Sequence, residues 1–568
     1  MNIKKYINKP FAAIMTVLLP LGGVMGFASC SDMLDTTSDM VEFVDGNQQV
    51  LPKDTLNSVM GIIRGIQTIA NRTVILGDVR SDQFTATDHT TSALKQIASF
   101  SVEAENPYNK ISDYYAIINN CNYFIENADT NVTKYGEKVF EKYYAAIKTY
   151  RAWTYLQLAK NYGEVPLVLK PVLTVGESEA EMTKPYTNLT DICNFFIDDI
   201  KPYVDTYIPT TIKKEYFIPV RVLLGELCLW AGRYNEAAQY LHDYLTLKNN
   251  EVYPDGSYSR WYVSSDLDFS TASFTTAIAE ESLATIPMET KEYYGVRNEL
   301  STIFASVLDN NYYPQFLPSE AYYKLSKAQN YILEVEKFGS TEKDTIVAPK
   351  EGFQKDYYAG DLRLRGNFTQ DYINRENNSP YSKEVYEVSR LSLNNNVCIY
   401  RRTQVYLMYA EALNRCGYPE AAFCILKYGM CNLNIQKYVN AQEIERAGSL
   451  INFDDDVFTR DRVSGTHARG CGDVQCDNNY CVPQPDAALA SYEDTVQYQI
   501  PFVEQMIIDE MGLEFSFEGK RYYDLMRVAL RRNDPAYLAD AIAKRNGTMD
   551  ETLRSKLMDK KNWFLPIK

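Results

Sequence analysis

The stretch Gln404–Leu426, QVYLMYAEALNRCGYPEAAFCIL, decides the fold. Tyr406, Tyr409, Ala410 and Leu413 recur at helical spacing, so one face is apolar and the other carries Glu411 and Arg415. Gly417, Tyr418 and Pro419 break that helix, and Ala421, Ala422, Ile425 and Leu426 begin a second apolar face. The small Ala410 and Ala422 let two such helices approach closely. A matching pair lies at Pro219–Leu245, PVRVLLGELCLWAGRYNEAAQYLHDYL, with Gly225 and Ala237 at the spacing of Ala410 and Ala422. Gly232 follows Gly225 at the distance at which Gly417 follows Ala410. A helical hairpin of this kind cannot bury its apolar face alone and must stack on others. The predicted scaffold is therefore mostly α, built of stacked helical hairpins near 219–245 and 404–431.

At 568 residues and 45% hydrophobic content the chain can bury a large core. Its N-terminus has the layout of a secretory signal: Lys4, Lys5 and Lys9, then an apolar run over Phe11–Gly26, then Ala28 and Ser29 before Cys30. Phe27-Ala28-Ser29-Cys30 resembles a bacterial lipobox, with Phe27 in place of the usual leucine. On that reading residues 1–29 are a lipoprotein signal peptide, Cys30 is lipidated, residues 30–50 are a tether and 51–568 form one helical domain. Cleavage would take the formal charge from −16 to −19. So acidic a surface repels phosphate backbones, which argues against nucleic-acid binding. No later stretch stays apolar for the ~20 residues a membrane helix needs, so the anchor would be acyl chains alone.

Asp54 is a plausible cap for an amphipathic helix to about Ala70, and Pro107–Asn127 reads as another. Glu137–Asn161 reads as a long central helix ending at Gly163, with Glu164–Val168 leaving in extended form before and beyond Pro166. From about 249 to 396, and again from 452 to 497, the periodicity fades into Tyr-, Asn-, Asp- and Gly-rich sequence. Such insertions between rigid hairpins are where contacts with ligands concentrate. Helix returns over Pro501–Arg532, and the apolar tail Asn562–Ile567 is predicted to dock onto the body.

Several segments together resemble the SusD/RagB family of outer-membrane nutrient-binding lipoproteins of the Bacteroidota. They are Tyr150-Arg151-Ala152-Trp153 through Tyr162-Gly163-Glu164-Val165-Pro166-Leu167-Val168, then Tyr406–Asn414, and Glu510 with Glu514–Arg527, EFSFEGKRYYDLMR. The terminal Phe564-Leu565-Pro566-Ile567 also fits. Met511 and Gly512 stand where the family carries a basic pair. The resemblance implies a SusD-like fold with tetratricopeptide-like repeats and an outer-membrane, cell-surface lipoprotein anchored through Cys30. It implies a lid on a SusC-like TonB-dependent barrel, capturing oligo- or polysaccharide without catalysis, cofactor or metal. Glu518, Arg521, Asp524 and Arg527 of the motif are expected to form a buried or semi-buried ion-pair network rather than a ligand site.

The residues agree on catalysis. The chain has 3 histidines, His89, His242 and His467, scattered along it, and no nucleophile elbow, zinc-helix or P-loop pattern. A glycosidase needs only two carboxylates, and 74 acidic residues supply many accidental pairs, so a surface glycan hydrolase remains a rival reading. Cys471, Cys476 and Cys481 lack zinc-ribbon spacing, and a disulfide among them suits an exported protein better than a metal; the pairing of the ten non-lipidated cysteines is open. For binding, 45 Tyr against 4 Trp is the notable feature, since sugar rings stack their C–H faces on aromatic rings. Tyr143, Tyr144, Tyr406 and Tyr409 have helical spacing and belong to packing, as do Trp153 and Trp230. Trp261 with Tyr262, in the first insertion, leads the binding candidates, followed by Tyr293, Tyr294 and Arg297, then Tyr312 and Tyr313. Arg80 and Asp82 enter by the resemblance alone, because family members place a polar ligand loop after the first helix. A peptide ligand suits abundant Tyr, Asn and Asp about as well as a glycan.

Overall fold

A computed structural model describes residues 55–134, 136–138, 140–206, 209, 212–247, 281–290, 295–306, 313–336, 343–348, 360–374, 382–388, 391, 395–487 and 489–567. The predicted hairpins are present: α5 (Val220–Ala231) with α6 (Tyr234–Thr246), and α8 (Arg402–Arg415) with α9 (Pro419–Lys427). Gly232 ends α5 in the left-handed conformation, φ 75°. The small residues act as expected. A Cβ on Gly225 would lie 2.6 Å from Leu241, so α5 and α6 touch only because that position carries no side chain. Ala237, Ala410 and Ala422 are fully buried. The two hairpins stack through α6 against α8, the mutual covering that neither could supply alone.

Around them lie α1 (Thr55–Asp78), α2 (Ile111–Asn127), α3 (Glu141–Tyr162), α4 (Leu189–Ile200), α10 (Tyr492–Glu514) and α11 (Arg521–Arg532). The central helix α3 is buried along its length from Thr149 and ends at Gly163, φ 79°, as its sequence predicts. Its predicted start is four residues early, because Glu137–Lys138 pair with Thr133–Lys134 in a short ladder instead. The apolar tail docks: Trp563 is fully buried, and the Leu565 amide donates to the Asn161 carbonyl at the end of α3, 2.8 Å.

Other boundaries differ from the sequence reading as well. The first helix runs on to Asp78, eight residues past Ala70, because Val74, Ile75 and Leu76 continue its buried face. Helix α10 begins at Tyr492, within the predicted insertion, and Pro501 sits inside it. Ser491 sets that start, its hydroxyl accepting from the Asp494 amide at 3.1 Å. Proline removes only the bond to the carbonyl four residues back, and burial of Val496, Gln499 and Val503 holds the helix together across it.

The motif residues do form buried ion pairs. Arg521 holds Asp82 through two 2.8 Å bonds, Arg527 joins Asp524 and Glu411, and Glu518 accepts from Arg401 at 3.0 Å. Arg401 also reaches Glu514 (2.7 Å) and Glu281 (3.1 Å), and Arg363 binds Asp361, Glu510 and Glu514 at 2.6–2.8 Å. A Cβ on Gly512 would lie 2.9 Å from the Arg521 guanidinium, so the glycine leaves room for it. The glycine of the Glu518-Gly519 pair has its own reason. Gly519, φ 72°, packs against α1 so closely that a Cβ would fall 2.3 Å from the Thr73 carbonyl.

Two short antiparallel pairs matter for the site. β1 (Phe84–Ala86) pairs β3 (Phe316–Pro318), Phe84 opposite Pro318, and β2 (Ser282–Ile286) pairs β4 (Val397–Arg401) through a register shift. Between β2 and β3 the short helix α7 (Leu300–Phe304) lies against α1. Among the described residues no helix is long and apolar enough to cross a membrane.

Candidate functional site

An open cleft of about 550 Å³ lies between the middle of α1, the segment leading into α2, and the segment 296–302. Asn71 is its hinge: the side-chain amide donates to the Arg297 carbonyl (2.9 Å), and its oxygen accepts from the Glu299 amide (3.3 Å). That clamp fixes the 296–302 segment on α1 and turns the exposed Arg297 side chain to the cleft rim. On the other wall Arg72 is buried. It donates to the Lys110 carbonyl at 2.9 Å and pairs with the part-exposed carboxylate of Asp113. Tyr108, half-buried, supplies the aromatic surface.

The electrostatics follow from burial. Glu299 is partly withdrawn from water, which raises its carboxyl above the usual range, while Arg72 opposes the shift. Tyr108 is pushed up to about 12, by burial first and then by the neighbouring Glu299. The phenol is therefore neutral, able to donate and accept. The cleft offers one aromatic ring, two guanidiniums from Arg72 and Arg297, an ammonium from Lys110 and two carboxyl groups. Converging donors and acceptors beside a ring suit a polyhydroxylated ligand of low charge.

A second feature is joined to this cleft through α7. Thr302 lines the cleft, and the next residue's carbonyl, Ile303, accepts from the Gln315 amide at 2.7 Å. Two residues before Gln315, Tyr313 is 44% exposed and stacks on the exposed imidazole of His89, centroids 4.5 Å apart and planes 11° from parallel. The pair is held by Thr87, whose hydroxyl donates to the Pro314 carbonyl at 2.8 Å. An exposed flat pair of rings is a stacking platform of the kind sugars use.

Of the sequence candidates, Arg297 lines the cleft, and Tyr313 is in the exposed stack with His89. The structure places Arg80 and Asp82 in the interior. Arg80 is 1% exposed and bonds Asn161 (2.6 Å), Tyr523 (3.1 Å) and the Leu76 and Trp563 carbonyls, its guanidinium 4.2 Å from the Tyr522 ring centroid. Asp82 is occupied by Arg521. Arg80 and Asp82 are thus spent on interior partners, a correction to their expected place in a ligand loop, while His89 later in the same run is exposed. Trp261, Tyr262, Tyr293, Tyr294 and Tyr312, like Cys30 and the tether, lie outside the described residues. Asn71, Arg72, Tyr108, Asp113 and Glu299 were not foreseen: nothing in their spacing separates them from packing residues.

The cysteines and histidines read as structural. All ten described cysteines are thiols, so the expected bridge among Cys471, Cys476 and Cys481 is not formed here. Cys471 is fully buried and its thiol donates to Asp361 at 3.2 Å, whereas Cys476 and Cys481 are exposed. His242 is buried against the Asn452 carbonyl, 2.9 Å. Asp361, His467 and Cys471 come close enough to hold a metal ion. Arg363, however, occupies both Asp361 oxygens at 2.7–3.2 Å and His467 Nδ1 lies 2.6 Å from Glu510, so the group is built as part of the ion-pair network.

No protein-family model and no curated protein matches the sequence. The fold does match solved structures. A SusD superfamily protein from Bacteroides vulgatus ATCC 8482 superposes with TM-score 0.54 at 15% identity, over 91% of this chain and 99% of that one. A SusD superfamily protein from Bacteroides thetaiotaomicron VPI-5482 gives 0.51 at 17% identity, over 84% and 89%. A SusD-like carbohydrate-binding protein from Bacteroides fragilis NCTC 9343 gives 0.51 at 14% identity, over 86% and 88%.

Proposed function

We propose, from a SusD-superfamily fold that spans most of the chain, that this protein captures oligo- or polysaccharide at the cell surface and passes it to a SusC-like TonB-dependent barrel. On this reading Cys30 carries the lipid anchor in the outer membrane and the helical body serves as a lid. The observation that carries the ligand class is the polar cleft with its Tyr108 ring, linked through α7 to the exposed His89–Tyr313 stack. The ring faces take sugar C–H surfaces; Arg297, Lys110, Asp113 and Glu299 take hydroxyls. The solved structure titled for carbohydrate binding supports the same class by its fold. No step of bond cleavage is assigned to these residues: the cleft works by holding.

Calorimetric titration of residues 31–568 with a panel of glycans and peptides tests the reading, with the same samples checked for cleavage products. Binding of a glycan without turnover, weakened about tenfold by Tyr313→Ala or Tyr108→Ala, is the expected result, since one aromatic stacking contact is worth about 1 kcal/mol or more. Trp261→Ala belongs in the same series as the sequence's leading candidate. Binding of peptides alone would move the cargo. Turnover lost on Glu299→Gln would make the protein a hydrolase. Co-purification with a TonB-dependent barrel tests the partner.

A further inference from the structure

Cys471, Cys476 and Cys481 follow one another closely in the second insertion, and the fold gives them different surroundings. Cys471 is fully buried, and its thiol is spent on Asp361 at 3.2 Å. Cys476 and Cys481 are exposed, the only exposed cysteines among the described residues. Packing as a small apolar side chain accounts for a buried cysteine, and it accounts for neither of these two.

The turn between them is clamped from below. Lys427, the last residue of α9, is 3% exposed, and its ammonium donates to the Asp477 carbonyl at 2.6 Å and the Tyr480 carbonyl at 2.7 Å. Asp477 follows Cys476 and Tyr480 precedes Cys481, so one buried ammonium gathers the two cysteine-bearing ends of the turn. Inside the turn the Asp477 carboxylate accepts from the Asn479 amide at 2.8 Å, and from outside it the Asn330 side chain donates to the same carboxylate at 3.2 Å. Both sulfurs also lie within electrostatic reach of the Lys427 ammonium. A neighbouring cation favours the thiolate, the form that attacks a disulfide. A turn held in this way keeps each thiol available to the other at an effective concentration on the order of millimolar.

We infer that Cys476 and Cys481 form a dithiol site that closes to an internal disulfide in an oxidising medium, while Cys471 stays reduced. The co-reactant is a small disulfide of the glutathione class. One cysteine thiolate attacks a sulfur of that disulfide, joining to it and releasing one glutathione thiolate. The second cysteine thiolate then attacks the first cysteine's sulfur and releases the other. Two electrons pass to glutathione, the two cysteine protons leave with the two released thiols, and one S–S bond replaces another. The turn carries Tyr480, whose ring stacks on His467 with centroids 4.1 Å apart and planes 13° from parallel. Closing the bond fastens that ring over the His467–Glu510 pair, 2.6 Å. The export signal read at residues 1–29 would carry the chain into such a medium. The site is independent of the glycan reading.

Fragment mapping provides the test. An endoprotease that cuts before aspartate cleaves at Asp473, Asp477 and Asp486, and so puts the three cysteines on three fragments. The intact native protein is equilibrated with reduced and oxidised glutathione at about 0.1 mM thiol, quenched with acid and digested without reductant. Fragment 473–476 should appear joined to 477–485 from monomeric protein, about tenfold over the glutathione adduct of either cysteine. Cys476→Ser and Cys481→Ser, both at exposed positions, should each keep one glutathione on the remaining thiol, because the thiol that would displace it is gone. Fragments that stay separate, a link to the fragment holding Cys471, a reducible dimer in place of the internal link, or a glutathione adduct that persists on the unsubstituted protein would overturn the inference.

Discussion

Glu514 is the residue on which the buried network turns, and Glu514→Gln measures what the network contributes. Its side chain is fully buried and accepts from Arg363 (2.8 Å) and Arg401 (2.7 Å), with Arg469 3.4 Å away. Burial alone would raise its carboxyl; the three guanidiniums more than reverse this and hold it at about 2, against the ordinary 4.5. A depressed carboxyl stabilises the fold above its unfolded value and loses that contribution as pH falls toward its folded value. A shift from 4.5 to about 2 corresponds to about 3 kcal/mol at pH 7. The same linkage leaves only about 1 kcal/mol at pH 3 and less at pH 2. Glutamine keeps the shape and removes the charge, so urea unfolding should show the variant about 3 kcal/mol less stable at pH 7, within the range for breaking a buried ion pair. The gap should close by more than half at pH 3. A difference under about 0.5 kcal/mol at pH 7, or one that stays flat as pH falls, would refute the reasoning.

Two further outcomes follow from burial acting without such compensation. Glu443 accepts from the Ala421 amide at 2.7 Å and meets the Tyr492 hydroxyl at 3.2 Å; burial pushes its carboxyl up to about 7. A raised carboxyl costs stability as pH climbs from 4.5 to about 7, so Glu443→Gln should be neutral at pH 4 and stabilising at pH 8, by up to about 3 kcal/mol, read by the same unfolding assay. Among the thiols, burial and the nearby Asp361 push Cys471 far up, whereas Cys476 and Cys481 are exposed. Iodoacetamide on the reduced native protein should label the latter two first and reach Cys471 only on unfolding, with peptide mass spectrometry as the readout.

Much of the scaffold was legible in the chain itself. The small residues Gly225, Ala237, Ala410 and Ala422, spaced alike in two hairpins, announced the close helix contacts that the structure shows. Gly163 marked the end of the central helix, and the tail from Trp563 to Leu565 was recognisable as core by its apolar run. The ion-pair character of Glu518, Arg521, Asp524 and Arg527 was implied by the resemblance of their motif to the SusD/RagB family rather than by their spacing. Helix ends were less legible. Pro501 looked like a start because its missing N–H fits there, yet burial on both sides outweighed the one lost hydrogen bond.

The site was legible only in part. Arg297 lines the candidate cleft, but so do Asn71, Arg72, Tyr108, Asp113 and Glu299, and the bond that builds the cleft joins Asn71 to a carbonyl 226 residues away. Arg80 shows the same limit from the other side. It became a candidate through the family resemblance alone, and its partners turned out to be Asn161, Tyr523 and the Trp563 carbonyl. The sequence by itself determined which faces must be buried, because helical periodicity is a local property carried by neighbours three and four residues apart. Only the tertiary structure decided which charges meet water and which meet one another. That choice depends on the dielectric around each group and on partners brought from distant parts of the chain, and neither is written in local spacing.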